Sequence, residues 1–126
     1  FMQIYIGEDD NWTPPKPCSE LVSIMNNRGG NSNIELYPNS FHSFDGPNPL
    51  KLWPNAYSWA NCKFKLNGET KKVYDPTNQE FDFSEPNARK AAYESCALKG
   101  EVMAGASPEY QNAAYEHLAT LLPRLD

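Results

Sequence analysis

Residues 1–38 read FMQIYIGEDDNWTPPKPCSELVSIMNNRGGNSNIELYP, and they carry the strongest secondary-structure signals of the sequence. The apolar run at residues 1–6 is typical of a strand that is buried on both faces. Residues 17–28 then repeat apolar side chains at helical spacing, and Gly29 ends this helix. A second alternating run at residues 33–37 predicts another strand. The order strand, helix, strand over this length predicts a parallel βαβ unit.

The composition describes an acidic chain of ordinary domain size. It has 126 residues, 40% hydrophobic residues and a net charge of −5. Because this charge opposes phosphate binding, we expect no nucleic-acid partner. No apolar run approaches the length of a membrane helix, so we also expect no membrane partner.

The cysteine count gives a weak indication of compartment. Cys18, Cys62 and Cys96 are too few and too scattered to predict a disulfide scaffold. The odd count leaves at least one thiol unpaired within the chain. Free thiols favour a reducing compartment slightly, so a cytoplasmic location is slightly favoured over a periplasmic or secreted one.

The pattern divides one partial domain into three parts. Residues 1–46 hold the βαβ unit and its two loops. Residues 47–84 form an insert rich in aromatic residues and proline, and Asn67-Gly68 predicts a hairpin within it. Residues 85–126 predict C-terminal helices, the first capped by Ser84 and extending to Lys99.

The candidate chemistry lies where the two predicted strands end. Loops at the carboxyl ends of parallel strands share one edge of a sheet. The first loop carries Asp10, and the second carries His42, one of two histidines. An acid that holds an imidazole is the orienting half of a nucleophilic catalytic triad. A solvated acidic turn and a packed histidine are the alternative reading of the same residues.

The two loops also carry a family resemblance. Residues 7–14 read GEDDNWTP, and residues 36–44 read LYPNSFHSF. This pattern resembles the C-terminal part of dienelactone hydrolase family proteins, members of the α/β-hydrolase superfamily. Residues 73–76, VYDP, resemble a later stretch of that family more loosely. By position, the resemblance implies that Asp10 is the triad aspartate and His42 the triad histidine, while Asp9 falls one place short.

The resemblance implies an α/β fold of which this chain is the C-terminal portion, and an activity on a small ester or lactone. The family's nucleophile is a Cys or Ser in a Gly-x-[CS]-x-Gly elbow. The sequence contains no such elbow. We therefore expect the nucleophile to come from an N-terminal segment outside this sequence or from a second polypeptide. No metal or organic cofactor is implied, and catalysis by this chain alone is not expected.

Several residues, and the function of the chain itself, have two interpretations. Trp12, Phe41, Phe44 and Trp53 either wall an apolar substrate pocket or pack in the core. His117 and Cys18 are better explained by packing on helix faces. The chain as a whole has a rival reading as a non-catalytic relic or interaction protein, which uses an exposed sheet edge to bind a partner or a second copy.

Overall fold

The computed structural model describes residues 1–122, and this part of the chain is a mixed α/β structure. The helices are α1 (Pro15–Asn27), α2 (Pro86–Cys96) and α3 (Pro108–Leu121). The strands are β1 (Met2–Gly7), β2 (Ser32–Tyr37), β3 (Lys51–Trp53), β4 (Tyr57–Ser58), β5 (Lys65–Leu66), β6 (Val73–Tyr74), β7 (Glu80–Phe81), β8 (Leu98–Lys99) and β9 (Val102–Ala104). No helix within residues 1–122 combines the length and the apolar character needed to cross a membrane.

The first three elements confirm the predicted βαβ unit. Strands β1 and β2 pair in parallel, with Ile4 opposite Ile34 and Gly7 opposite Tyr37. Helix α1 connects them and begins at Pro15, because the first turn of a helix does not need the N–H that proline lacks. It ends before Gly29, which has a positive φ of 82°.

Two helices sandwich this strand pair. On one face, the Ser32 hydroxyl donates to the carbonyl of Val22, a buried residue of α1. The Tyr37 side chain lies on the opposite face, since it is an odd number of residues from Ser32. There the rings of Tyr37 and Tyr110 lie 5.6 Å apart, which brings α3 onto that face.

The aromatic face of the pair is a packing surface. The His117 ring meets Tyr5 edge to face at 5.7 Å, so the structure places this second histidine in packing. Tyr37 also lies against Phe44, at 4.9 Å between ring centroids. Burial, with smaller contributions from Glu35 and Tyr5, raises the pKa of the Tyr37 hydroxyl. Tyr37 therefore stays neutral at physiological pH.

Residues 47–122 are built from short strands that pair over long distances. Strand β3 pairs with β9 and β4 with β8, both antiparallel. The predicted hairpin is present: β5 and β6 pair around Asn67-Gly68, and β7 joins as the third strand. The sequence alone does not reveal the β3–β9 and β4–β8 pairs, because their partners are far apart along the chain.

The odd cysteine count predicted at least one unpaired thiol, and Cys18 is free, but the other two cysteines are not free thiols. Cys62 and Cys96 form a disulfide, with 5.1 Å between their Cα atoms, and only Cys18 is free. Scattered positions along the chain meet here because β4 and β8 pair beside them. The cysteines therefore do not favour a reducing compartment, since disulfides persist in oxidising compartments.

Two details of the predicted elements also differ. Helix α2 ends at Cys96 instead of Lys99, because Leu98 and Lys99 pair with β4 as a strand. Glu85, not Ser84, occupies the N-cap, and the Ser84 hydroxyl donates to Asp82. Strand β1 is half-buried over most of its length, and only its last two residues are buried, so it is not covered on both faces.

Candidate active site

The loop after β1 fixes the carboxylate of Asp10. The Asp10 N–H donates to the carbonyl of Gly7, which turns the chain sharply at the strand end. Oδ1 of Asp10 then accepts the backbone N–H groups of Trp12 (2.9 Å) and Thr13 (2.8 Å). An aspartate that caps its own loop in this way has its side-chain direction set by the backbone. Asp10 is 5% exposed, whereas its neighbour Asp9 is exposed.

The loop after β2 brings His42 to the other carboxylate oxygen. Nδ1 of His42 lies 3.0 Å from Oδ2 of Asp10. The backbone of His42 is held as well, because its carbonyl accepts the N–H of Gly105 at 2.8 Å. The structure thus brings together the two residues that the sequence singled out as acid and base.

The two loops can approach only because position 7 is glycine. A Cβ added at Gly7 would lie 2.2 Å from the carbonyl oxygen of Ser40. The same oxygen accepts the N–H of Asp9 at 3.0 Å, and Ser40 is fully buried. A backbone contact of this closeness excludes every other residue type at position 7 without movement of one loop.

Thr13 completes the group and was not singled out from the sequence. Its hydroxyl lies 3.0 Å from Oδ2 of Asp10 and 3.1 Å from Nδ1 of His42. The signal that could have found it is its place three residues after an aspartate, where a threonine side chain commonly bonds back to the acid loop.

This arrangement sets what the imidazole can do. A carboxylate accepts hydrogen bonds only, so the proton of neutral His42 is assigned to Nδ1. Nε2 then carries the free lone pair and is available to take a proton. Within residues 1–122, Nε2 of His42 makes no hydrogen bond, and its side chain is 33% exposed against 4% for Asp10. The geometry is that of an imidazole base oriented by a buried carboxylate, which bonds to the other ring nitrogen.

The aromatic candidates divide into two groups. Phe41 and Phe44 line a cavity of about 240 Å³ together with His42. Phe44 is also part of the core, at 4% exposed. Trp12 does not line this cavity; its ring lies 4.7 Å from the His42 imidazole and 6.5 Å from Trp53.

Asn11 is a second residue that sequence reasoning missed as a contact. Its Oδ1 accepts the N–H of Met103 at 3.0 Å, and its amide donates to the carbonyl of Glu101. Nothing local in the sequence signals these partners, because they lie near the other end of the chain. The sequence Asn11-Trp12-Thr13 fits a glycosylation sequon, but the amide is engaged in the fold.

Other groups offer no comparable site. Residues 1–122 contain no cluster of three or more His, Cys, Asp or Glu side chains that could hold a metal ion. Cys18 is half-buried on α1 and lies in none of the contacts described above. Comparisons with protein-family models, with curated proteins and with solved structures find no match to this chain.

Proposed function

We propose that the chain is the C-terminal part of a hydrolase with the α/β-hydrolase fold, similar to dienelactone hydrolases, which cleaves a small ester or lactone. The observation that supports this most is the 3.0 Å contact between Asp10 Oδ2 and His42 Nδ1 at the end of two parallel strands. A buried acid, an adjoining base and a parallel sheet edge are three of the features that such chemistry uses, the nucleophile being another.

The proposed reaction uses His42 twice. Nε2 takes the proton from a serine or cysteine nucleophile as that atom attacks the carbonyl carbon of the substrate. The same proton passes to the leaving oxygen when the carbon–oxygen bond breaks, which leaves an acyl-enzyme. Water then repeats the sequence and releases the acid. Asp10 stabilises the imidazolium at each stage and holds the ring in place.

The nucleophile is assigned to residues outside this sequence. The proposal follows from the lack of a Gly-x-[CS]-x-Gly stretch in the 126 residues, read together with the resemblance of the acid and histidine loops. The nucleophile is carried either by a preceding segment of the same protein or by a second polypeptide. Phe41 at the cavity and Trp12 beside the imidazole supply apolar surface for a small substrate.

Ester hydrolysis tests this proposal. We expect the full-length protein to hydrolyse p-nitrophenyl acetate, and His42→Ala to lower kcat by roughly 10³-fold or more. His117→Ala is the matched control, because His117 packs against Tyr5 and its ring forms no hydrogen bond with Asp10 or His42 within residues 1–122. Equal rates for the wild type and His42→Ala would exclude the role given to His42.

One observation favours the rival function in partner binding. Strands β1 and β2 pair only with each other within residues 1–122, so each has an outer edge with unpaired backbone groups. Such edges accept further strands, either from a partner or from a second copy. If the full-length protein hydrolyses no ester, light scattering of the purified chain should show a stable dimer or larger species; a strictly monomeric chain would count against self-association through these edges.

A further inference from the structure

We propose that Asn11 is a positioning residue that sets the geometry of the Asp10–His42 pair by tying the acid loop to the strand that also holds His42. The role in catalysis rests on the proposed function. The effect of Asn11 on how the imidazole is held does not rest on that function.

Asn11 fixes the backbone directly after the acid. Both polar atoms of its side chain are used: Oδ1 accepts from Met103, and the amide donates to Glu101. Its own carbonyl accepts the hydroxyl of Ser58. These three contacts leave the peptide that follows Asp10 little freedom to turn, so they also hold the N–H groups that bind the carboxylate.

The same β9 segment (residues 101–107) holds the histidine loop. Ala104 forms a parallel bridge with His42, and the Gly105 N–H donates to the His42 carbonyl at 2.8 Å. The Ser107 N–H donates to the carbonyl of Phe44 at 2.8 Å. Val102, at the start of β9, is fully buried. One buried strand therefore contacts both loops, and Asn11 is the side chain through which the acid loop joins it.

The disulfide supports this arrangement next to the β4–β8 pair. Cys62 follows β4 and Cys96 precedes β8, so the bond between them closes on the pair in which Ser58 lies opposite Leu98. Strand β8 leads directly into the β9 segment. On the β4 side, the Trp59 N–H donates to the carbonyl of Trp12 at 3.1 Å. A continuous set of contacts thus runs from the disulfide to both members of the pair.

The tautomer of His42 is the readout that separates positioning from general stability. A bond from Nδ1–H to a fixed carboxylate favours the Nδ1–H form, whereas a free neutral imidazole prefers the Nε2–H form. Nitrogen-15 NMR of the two ring nitrogens measures the ratio of the two forms. His117 serves as an internal reference, since it packs on Tyr5 away from the acid loop.

We expect Asn11→Ala, which removes the bonds to both Met103 and Glu101, to lower the Nδ1–H to Nε2–H ratio of His42 roughly tenfold. Asn33→Ala is the matched control, because the exposed Asn33 side chain bonds only to Glu35 within residues 1–122, and it should leave the ratio unchanged. A folded Asn11→Ala protein with the wild-type ratio would overturn the proposal.

A second variant decides the matter if Asn11→Ala does not fold. Asn11→Asp keeps an acceptor for Met103 but loses the amide donor to Glu101, and we expect a drop in the ratio of roughly threefold. No drop in this variant would equally overturn the proposal. Since no substrate is used, the result stands whether or not the protein hydrolyses esters.

Discussion

The β1–α1–β2 unit and the region from residue 47 to residue 122 are held together in different ways. In the first, elements that follow one another in sequence also pack together, and β1 pairs with β2 across a single helix. In the second, β3 and β4 pair with β9 and β8 from the far end of the chain. A disulfide links Cys62 to Cys96 within that region, and the Met103 N–H bonds the region to Asn11 of the first.

The first region supplies the two candidate catalytic residues, and the second region helps to hold them in place. Asp10 and His42 both lie on loops of the β1–α1–β2 unit. Their loops bond to each other and also to the later region, through Asn11 and Gly105. Contacts with residues 101–107 therefore add to the contacts between the two loops in placing Asp10 and His42.

The largest expected effect comes from removing the disulfide. Cys62 and Cys96 are 34 residues apart, so replacing both with serine should lower the free energy of unfolding by about 3–4 kcal/mol. Hydrogen exchange should speed up in β4, β8 and β9 far more than in β1 and β2. Cys18→Ser is the control, because Cys18 is free. Uniform loss of protection in both regions would show that they unfold as one unit.

A smaller loss is expected from separating the two loops. In Gly7→Ala, the new Cβ meets the Ser40 carbonyl, and one loop must move. We expect a loss of about 2–3 kcal/mol in the free energy of unfolding, within the range for overpacked sites. Gly68→Ala has open space around it and should cost much less. Urea unfolding measures both, and equal stability of the two variants would contradict the close approach.

The smallest effect is a pH dependence located in the later region. Bonds from the Ser84 hydroxyl and N–H, and then from Lys72, lower the pKa of Asp82 to about 2. A depressed carboxyl pKa stabilises the fold above its unfolded value near 3.8, and this contribution disappears as pH falls through about 2. Asp82→Asn should therefore be less stable than wild type at pH 6 and lose this difference below pH 2. A difference that is the same at both pH values would contradict the shift.

The sequence predicted the β1–α1–β2 unit well because its signals are local. Prolines at the start of α1, Gly29 at its end and apolar alternation in β2 each act within a few residues. The sequence also predicted that Asp10 and His42 lie at one edge of the sheet. Each residue is on the loop that follows a strand, and the carboxyl ends of parallel strands share an edge.

The remaining features could not be predicted because their partners are distant in sequence. Asn11 has the same polar side chain as any loop asparagine, and only the arrival of Met103 gives it a defined contact. The pairing of Cys62 with Cys96 depends in the same way on β4 meeting β8. Trp12 was grouped with cavity residues by type, although its ring lies against the imidazole.

Steady-state hydrolysis of p-nitrophenyl acetate by the Asp10→Asn form of the full-length protein tests whether Asp10 and His42 act as a catalytic pair. The change keeps the size of the side chain but removes the charge that favours the Nδ1–H form and stabilises the imidazolium. We predict a fall in kcat of roughly 10²–10⁴-fold, while Asp9→Asn, one residue away and exposed, keeps wild-type activity. A wild-type kcat for Asp10→Asn would contradict the account.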